Sequence, residues 1–476
     1  MLSIDYVARA KDVATLADRH ADEADRARQL SQPVVDALHR EGLFGVWVPR
    51  SVRGGLELDV LSTLQVIENM SYGDPSAGWV LMAAMLAIGT GAAYLESDAV
   101  AELFGGDRLP VIAGQGTKPG MAVPVAGGFR LSGSWSFASG IRHATHIHTL
   151  GLIQGTNEPR IFVLPVEKAT LIDNWDVLGL RATGSIDYRI DDVFVPEGYT
   201  HFAVTETPRR GGHNYRLGII GLAALVHSAW AAGVGRRLLD ELAAKVRGGV
   251  GRSGTQASSE TFHEQYAKAE GAYRAARALV QESWSSVKDT LDRGGELSVR
   301  QQTLIRLAMA HITWCGKDVA DFVYKSAGTL AMRSGTIQRL YRDMQTGTSH
   351  ITSAPPTFRA AGPRAGGACR RQALVVSRSR RYVAWWGRRG AHSNQWCVNV
   401  RFTFGFGASQ IKADVGLRKT RNASKYRAAS TSNICIDPKM SSRSVTTAHR
   451  PKRCGPICTA ISVATSCSSV SPGSDV

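Results

Sequence analysis

SETFHEQYAKAEGAYRAARALVQESWSSVKDTLDR, residues 259–293, carries its larger apolar side chains at Phe262, Tyr266, Ala269, Tyr273, Ala276, Val280, Trp284, Val287 and Leu291. Consecutive members of that series lie three or four residues apart, the period at which side chains line one face of an α-helix. A face this long needs another element to bury it. Gly294-Gly295 predicts the end of the helix. Ser298 with Gln301 has the spacing of a capping box, so a second helix is predicted from there to about Ser326. Two long helices joined by so short a turn favour an antiparallel bundle, placed at residues 211–356.

Upstream, from about Pro110 to Val204, the pattern changes. FRLSGSWSF (129–137) follows Gly127-Gly128, and HIHTLGLI (146–153), RIFVLPV (160–166) and YRIDDVFVP (188–196) come after it, bounded by Gly, Pro, Asn or Asp. Short runs with that punctuation read as strands of a compact β domain, a barrel or sandwich, over residues 110–210. Residues 1–109 read as helical. Ser31 with Pro33 starts a helix that Gly42 stops, and Asp59 caps another reaching Tyr72, with Leu61, Leu64, Ile67 and Met70 three apart. Gly73-Asp74-Pro75-Ser76 turns the chain into a third. Ala77 to Leu95 holds 19 residues without a charge, close to the length of a membrane span. Its glycines at 78, 89 and 91 and its many alanines fit a helix buried inside a soluble domain better, and no membrane is expected. The class is therefore α+β and multidomain.

Near residue 357 the composition breaks. Residues 357–476 hold 21 of the chain's 57 Lys and Arg but only 3 of its 40 Asp and Glu, leaving positions 1–356 with 36 basic and 37 acidic residues. The formal charge of +17 belongs to a cationic tail on a neutral body. Such a body gives no electrostatic reason to expect nucleic acid or anionic lipid as its partner. Six of the seven cysteines also lie in the tail, and Cys315 alone fits a reduced, cytoplasmic protein without structural disulfides. The first 20 residues mix charges and lack an apolar core, so a secretory signal is not expected.

Three readings of the tail stand beside one another. A nucleic-acid-binding arm would use the doublets Arg370-Arg371, Arg380-Arg381 and Arg388-Arg389 on phosphates and stack Trp385, Trp386 and Trp396 on bases. A disordered extension is the plainer one. The third is a stretch out of frame with the body. Richness in Arg, Ser and Cys without any glutamate suits the third best, and the helical pattern is expected to stop at Pro355-Pro356. Cys454 and Cys458 lack the second pair that a metal site needs.

Three stretches could carry chemistry. WSFASG (135–140), followed by His143, ends an aromatic strand in Ser-Gly and so offers a flat wall beside a hydroxyl, as a planar electron-rich ring requires. By composition alone it fits an ordinary strand end more readily. His143, His146 and His148 invite a metal reading, but on a strand only the last two share a face, and no adjacent carboxylate completes a set; no metal is expected. Arg342-Asp343 runs on to Thr348-Ser349-His350, and histidine is the side chain suited to proton transfer near neutral pH.

Taken in order, these stretches resemble the acyl-CoA dehydrogenase superfamily, especially its branch of flavin-dependent, two-component aromatic hydroxylases and related sulfur-heterocycle monooxygenases. The resemblance covers about residues 20–356. It rests on GLFGVWVP (42–49) with Gly54-Gly55, DPSAGW (74–79), WSFASG with His143, WDVLGLRATGS (175–185) leading to DVFVP (192–196), and Arg342-Asp343 with His350. It implies an N-terminal α domain, a middle β domain and a C-terminal four-helix bundle, assembled as a homotetramer. A flavin, FMN or FAD, would lie between the β domain and the bundle. By motif, Trp79, Gly114, Gln115, Gly116, Phe137, Ala138 and Ser139 would line it. Ala327, Gly328, His350 and Ile351 would complete the site from the bundle, with Arg247 as the basic contact.

Dehydrogenases of the superfamily remove an α-proton with a glutamate supplied by the bundle. Here the last glutamate is Glu296, and the stretch after Arg342-Asp343, TGTSH (346–350), ends in histidine as the hydroxylase branch does. The resemblance thus implies an oxygenase component that receives reduced flavin from a separate flavin reductase and uses dioxygen to hydroxylate a small aromatic substrate. Ser139 would hydrogen-bond the flavin, and His350 would accept or orient the substrate's acidic proton. Acyl-CoA dehydrogenation is the alternative, with a base drawn from Glu241, Glu260, Glu264 or Glu270. An inactive member, its own C-terminal segment displaced by the tail, is the second.

Overall fold

A computed structural model describes residues 5–205, 207–247, 259–365, 396–403 and 412–419. The chain divides into two units, 1–379 and 380–476. Helix α1 (Tyr6–Ala27) begins at Asp5, whose carboxylate accepts the Val7 and Ala8 N–H groups, and it buries a stripe of alanines from Ala10 to Ala24. Helix α2 (Gln32–Arg40) follows Ser31 and stops before Gly42, which takes φ 74°. Helix α3 (Val60–Gly73) is capped by Asp59 as expected. The small side chains of α1 let the two helices approach until a Cβ on Gly73 would fall 2.4 Å from the Ala14 carbonyl oxygen.

Asp74 then caps α4 (Pro75–Tyr94), accepting the Ala77 N–H at 2.7 Å. This is the uncharged helix, and 89% of its apolar window is buried in the fold. Helix α5 (Ser97–Phe104) closes the N-terminal region.

Seven strands follow: β1 (Ile112–Val125), β2 (Gly128–Trp135), β3 (His146–Ile153), β4 (Pro159–Pro165), β5 (Thr170–Ile172), β6 (Asp187–Pro196) and β7 (Thr200–Phe202). They form one sheet in the order β5-β6-β2-β1-β3-β4-β7. β1 and β3 pair in parallel, and the other neighbours are antiparallel. β4 and β6, well separated in that order, still touch, so the sheet curls around a core of its own. Trp135 stacks on Tyr188 at 5.4 Å and Phe129 meets Phe162 edge-on at 5.6 Å inside it. The expected barrel or sandwich is thus a single curled sheet.

The bundle comprises α6 (Gly218–Arg247), α7 (Glu260–Asp292), α8 (Val299–Ala327), the short α9 (Thr329–Met332), α10 (Thr336–Gly347) and α11 (Pro355–Ala365). Tyr273, Ala276, Val280, Trp284, Val287 and Leu291 are the buried face of α7, and Phe262, Tyr266 and Ala269 pack half-buried beside them. Ser298 and Gln301 close the capping box at the start of α8. α8 packs against α6, α7, α10 and α11, while α3 and α4 pack on α6, so one core runs from the N-terminal helices into the bundle.

Helix does not stop at Pro355-Pro356. The pair opens α11 instead, because the first turn of a helix has no use for the N–H that proline lacks. In the second unit β8 (Trp396–Thr403) and β9 (Lys412–Lys419) pair antiparallel. The arginine doublets, Trp385, Trp386, Cys454 and Cys458 lie outside the described residues.

Candidate active site

The loop after β2 owes its shape to a distant segment. Phe137 adopts φ 70°, rare for a side chain of its bulk, and stands 59% exposed. Ala138 N–H donates to the Ile186 carbonyl at 3.2 Å and Gly140 N–H to the Thr183 carbonyl at 2.8 Å, which ties the loop to the end of WDVLGLRATGS. That segment is in turn anchored on α10. Gly179 lies so close that a Cβ there would meet the Arg342 carbonyl oxygen at 2.0 Å. Leu180 N–H donates to Asp343 Oδ1 at 2.5 Å. Arg342 donates to the Leu178 carbonyl at 2.8 Å and to Asp25 of α1 at 3.0 Å. The Arg342-Asp343 pair is an anchor, not part of the reacting cluster.

Trp79 of α4 is the hub. Its Nε1–H donates to Ser139 Oγ at 3.1 Å. Its ring meets His350 edge-on with centroids 5.4 Å apart, and likewise His227 of α6 at 5.3 Å and Trp230 at 5.0 Å. His227 and His350 stack at 4.5 Å with their planes 22° apart. Trp230 is held by its Nε1–H to the Pro75 carbonyl at 2.9 Å. Ser139 Oγ lies 2.8 Å from Ser185 Oγ, which lies 2.7 Å from Thr183 Oγ1. Three elements 60 or more residues apart thus converge on one indole.

The tautomers follow from the ring partners. His350 Nδ1 lies 2.9 Å from Thr352 Oγ1, which can give or take a hydrogen, and 3.4 Å from the Thr352 N–H, which can only give one; with Nδ1 accepting from both, the ring proton is on Nε2. His227 Nδ1 lies 2.8 Å from the Ala223 carbonyl, an acceptor only, so it carries the hydrogen and its Nε2 is bare. Burial disfavours the charged form of both rings. It pulls His227 down to about 4 and His350 well below the usual imidazole range, with His227 nearby lowering His350 further. Beneath the cluster, burial raises Asp343 to about 7 and Asp74 to about 6, with each carboxylate near enough for Asp74 to add to the rise at Asp343.

A half-exposed stripe of α6 leads away from this hub. From Gly221 to Gly235 every residue of α6 is buried except Ala223 and His227. Ile219, one turn before Ala223, is half-exposed as well and faces Gly116 of β1, where a Cβ would meet Ile219 Cδ1 only at 3.8 Å and His148 Nε2 at 3.6 Å. Eight residues of helix separate Ile219 from His227, a half-exposed stripe of about 12 Å. The chemistry along it suits a planar multi-ring group: flat indole and imidazole rings at one end, a glycine of β1 at the other, and exposed Phe137 and Ile351 next to Ala138 and His350 in the chain. Surface hollows of about 380 Å³, beside Glu96 and Tyr199, and about 540 Å³, beside Asp36 and Phe44, share no residue with it.

Of the expected site residues, Trp79, Ser139 and His350 come together, with Phe137, Ala138 and Ile351 adjoining in the chain, and Gly116 stands beside Ile219. Gln115 turns its side-chain oxygen back onto the Lys118 N–H of its own strand at 2.8 Å, and Gly114 packs on β3, where a Cβ would strike the His148 carbonyl oxygen at 2.0 Å. Arg247 does not join them. It ends α6, 20 residues beyond His227, about 30 Å along the helix. Ala327 and Gly328 stand apart for the same reason: Trp314 of α8 bonds the Ser353 carbonyl at 2.8 Å, and Ala327 lies 13 residues, about 20 Å, further along the helix. His148 sits beside His201, ring centroids 6.4 Å apart, rather than with His143 in a metal set. Sequence reasoning missed His227, Ser185 and Thr183. A signal existed for the first, as the one ionisable residue between Gly218 and Gly235.

The family model of the acyl-CoA dehydrogenase N-terminal domain matches residues 8–97, and that of the C-terminal domain residues 225–355. The chain is 32% identical over 347 residues to indole-3-acetate monooxygenase of Pseudomonas putida, spanning 71% of this chain and 88% of that one. The chain belongs to the acyl-CoA dehydrogenase superfamily. Within it, this chain is a flavin-dependent monooxygenase, as its relatives are.

Solved structures share the fold of this monooxygenase. A 3-HSA hydroxylase from Rhodococcus sp. superimposes with a TM-score of 0.71 at 22% identity, covering 78% of this chain and 98% of that one. XiaF from Streptomyces sp., in complex with FADH2 and glycerol, gives 0.69 at 23% identity, covering 76% and 95%. The family match ends at residue 355, two residues before the break in composition. The glutamates named for dehydrogenation are engaged or distant: Glu241 pairs with Arg237, Glu264 with Lys268 and Glu270 with Arg236 and Arg274, while Glu260 opens α7.

Proposed function

We propose that this monooxygenase is an oxygenase component that hydroxylates an aromatic acid of the indole-acetic type, working in the cytoplasm as a homotetramer fed by a flavin reductase. The observation that carries this reading is Trp79, which touches Ser139, His227 and His350 at once and so gathers a hydroxyl and two neutral imidazoles around one indole. The 32% identity to an indole-3-acetate monooxygenase supports the choice of substrate.

Reduced flavin, when bound, supplies the activation of dioxygen. The chain's own residues do the rest. Ser139 Oγ would hold the flavin by a hydrogen bond. His350 offers its Nε2–H and orients the substrate, while the bare Nε2 of His227 accepts a proton from a ring N–H or O–H. Both rings are kept neutral by burial, so one can donate and the other accept at the same pH. Trp79, Phe137 and Ile351 wall the mouth and keep water from the reacting atoms. Arg247, Ala327 and Gly328, too far from the cluster within one chain, serve a flavin held by a neighbouring subunit.

The test mixes the full chain anaerobically with reduced flavin, then with indole-3-acetate and isotopically labelled dioxygen. A hydroxylated product carrying one labelled oxygen is expected. Dioxygen consumed only to hydrogen peroxide with every aromatic acid tried, or reduction of bound flavin by an acyl-CoA without dioxygen, would refute the reading.

A further inference from the structure

Three polar groups lie in line behind Ser139, and one placement of their hydrogens puts a hydrogen between every close pair of oxygens. The line ends at the Leu180 carbonyl, which also accepts Trp175 Nε1–H and the Thr183 N–H, both at 3.2 Å. The Leu180 carbonyl can only accept, so Thr183 Oγ1, 2.7 Å away, spends its single hydrogen there. Ser185 Oγ must then supply the hydrogen it shares with Thr183 at 2.7 Å. With the Ser185 hydrogen used, the contact of 2.8 Å between Ser185 and Ser139 needs the hydrogen of Ser139. At the other end Trp79 Nε1–H can only donate, and it occupies one lone pair of Ser139 Oγ at 3.1 Å. Ser139 is left with one lone pair and no hydrogen. Every member is buried, so no water competes for the line.

We propose that this relay, from Trp79 through Ser139, Ser185 and Thr183 to the Leu180 carbonyl, makes Ser139 an acceptor alone and thereby selects the reduced flavin over the oxidised one. The inference rests on the flavin reading above and adds to it a choice of redox state. Reduced isoalloxazine presents an N–H at the central-ring nitrogen that gains hydrogen on reduction, and that N–H pairs with the free lone pair. The oxidised ring presents a lone pair at the same atom and meets another. An oxygenase component fed by a separate reductase needs such discrimination, since spent oxidised flavin must leave and reduced flavin must enter. Ser139 touches the cofactor; Ser185 and Thr183 are positioning residues that act through it.

Anaerobic titration of the full chain with reduced and with oxidised flavin measures both dissociation constants, and their ratio fixes the two-electron potential of the bound ring. The wild-type chain is expected to hold the reduced form more tightly. Ser185→Ala and Thr183→Val each free the Ser139 hydrogen to donate to the oxidised ring, and should shrink the ratio about tenfold, one hydrogen bond's worth, or about 30 mV in potential. Thr183→Ser retains the hydroxyl and should keep the wild-type ratio. An unchanged ratio in either relay variant overturns the relay while leaving the flavin reading intact. Equal affinity of the wild-type chain for both forms does the same without any variant. A wild-type chain that binds neither form overturns the flavin reading itself, and the relay with it.

Discussion

Asp343→Asn should remove a pH dependence of stability without removing the contact that Asp343 makes. Asp343 is 1% exposed, its Oδ1 accepts the Leu180 N–H at 2.5 Å, and its Oδ2 has no partner among the described residues. Burial first, then the nearby Asp74, raise it to about 7 from an ordinary 3.8, against the lowering effect of the Leu180 N–H. A carboxyl raised on folding binds its proton more tightly in the folded state than in the unfolded one. Its contribution is therefore greatest at low pH and is lost as pH climbs towards 7. Between pH 6 and pH 8 the folded group ionises while the unfolded group is already ionised at both ends. Linkage then gives a loss of about 1.4 kcal/mol over that interval. An asparagine keeps the carbonyl oxygen for Leu180 and cannot ionise, so its urea midpoint should lack this decline, whatever its absolute stability. Asp74→Asn should lessen the slope, by removing a charge that lifts Asp343 and a second carboxyl itself raised to about 6. Parallel pH profiles for wild type and Asp343→Asn between pH 6 and 8 would refute the assignment of a neutral acid beneath the site.

Gly179→Ala drives a methyl into the Arg342 carbonyl and should cost about 1–3 kcal/mol in urea unfolding, because backbone lies on both sides of the contact. Gly347→Ala places a Cβ 2.1 Å from Trp230 Cη2, and the displaced indole presses on Trp79; reduced-flavin binding should weaken about tenfold. Gly271→Ala, in the interior of α7 with nothing within 4 Å, should leave binding unchanged and add about 0.5–1 kcal/mol of stability. His227→Phe keeps the stack on His350 but removes the bare nitrogen; kcat should fall about 100-fold, with reduced-flavin affinity little changed. Because His227 is held down at about 4, it stays neutral and able to accept a proton from pH 8 down to about 5, and the acid limb of the wild-type rate should not lie above that.

The helical elements were legible from residues alone because their signals are local. The face of α7, the Asp59 cap and the Ser298–Gln301 box each depend on residues within a few positions of one another, and each lies where the spacing puts it. Proline at 355 and 356 misled for a related reason: a proline pair marks a helix boundary without saying which side the helix lies on. The sheet was legible as strands but not as an order. The parallel pairing of β1 with β3 bypasses β2, and no run of alternating residues records which strand becomes a neighbour.

The site divides along the same line. Family motifs named Trp79, Ser139 and His350, which the fold brings together, and also Arg247, Ala327 and Gly328, which helix rise carries along α6 and α8 away from them. The chemistry itself was invisible in one dimension. Arg342 and Asp343 read as a catalytic neighbourhood and proved to be the anchor of a segment 160 residues earlier. His227 read as nothing, and which ring nitrogen is bare, or which way the Ser139 hydroxyl points, depends on single partners such as the Ala223 and Leu180 carbonyls. Residue types and their periodicity settle which segments become helix or strand, since those are short-range energies. Proton placement and the choice of acid, base and anchor arise from contacts between segments far apart in the chain, where burial sets the charge state and each hydrogen bond is decided by the one partner within reach.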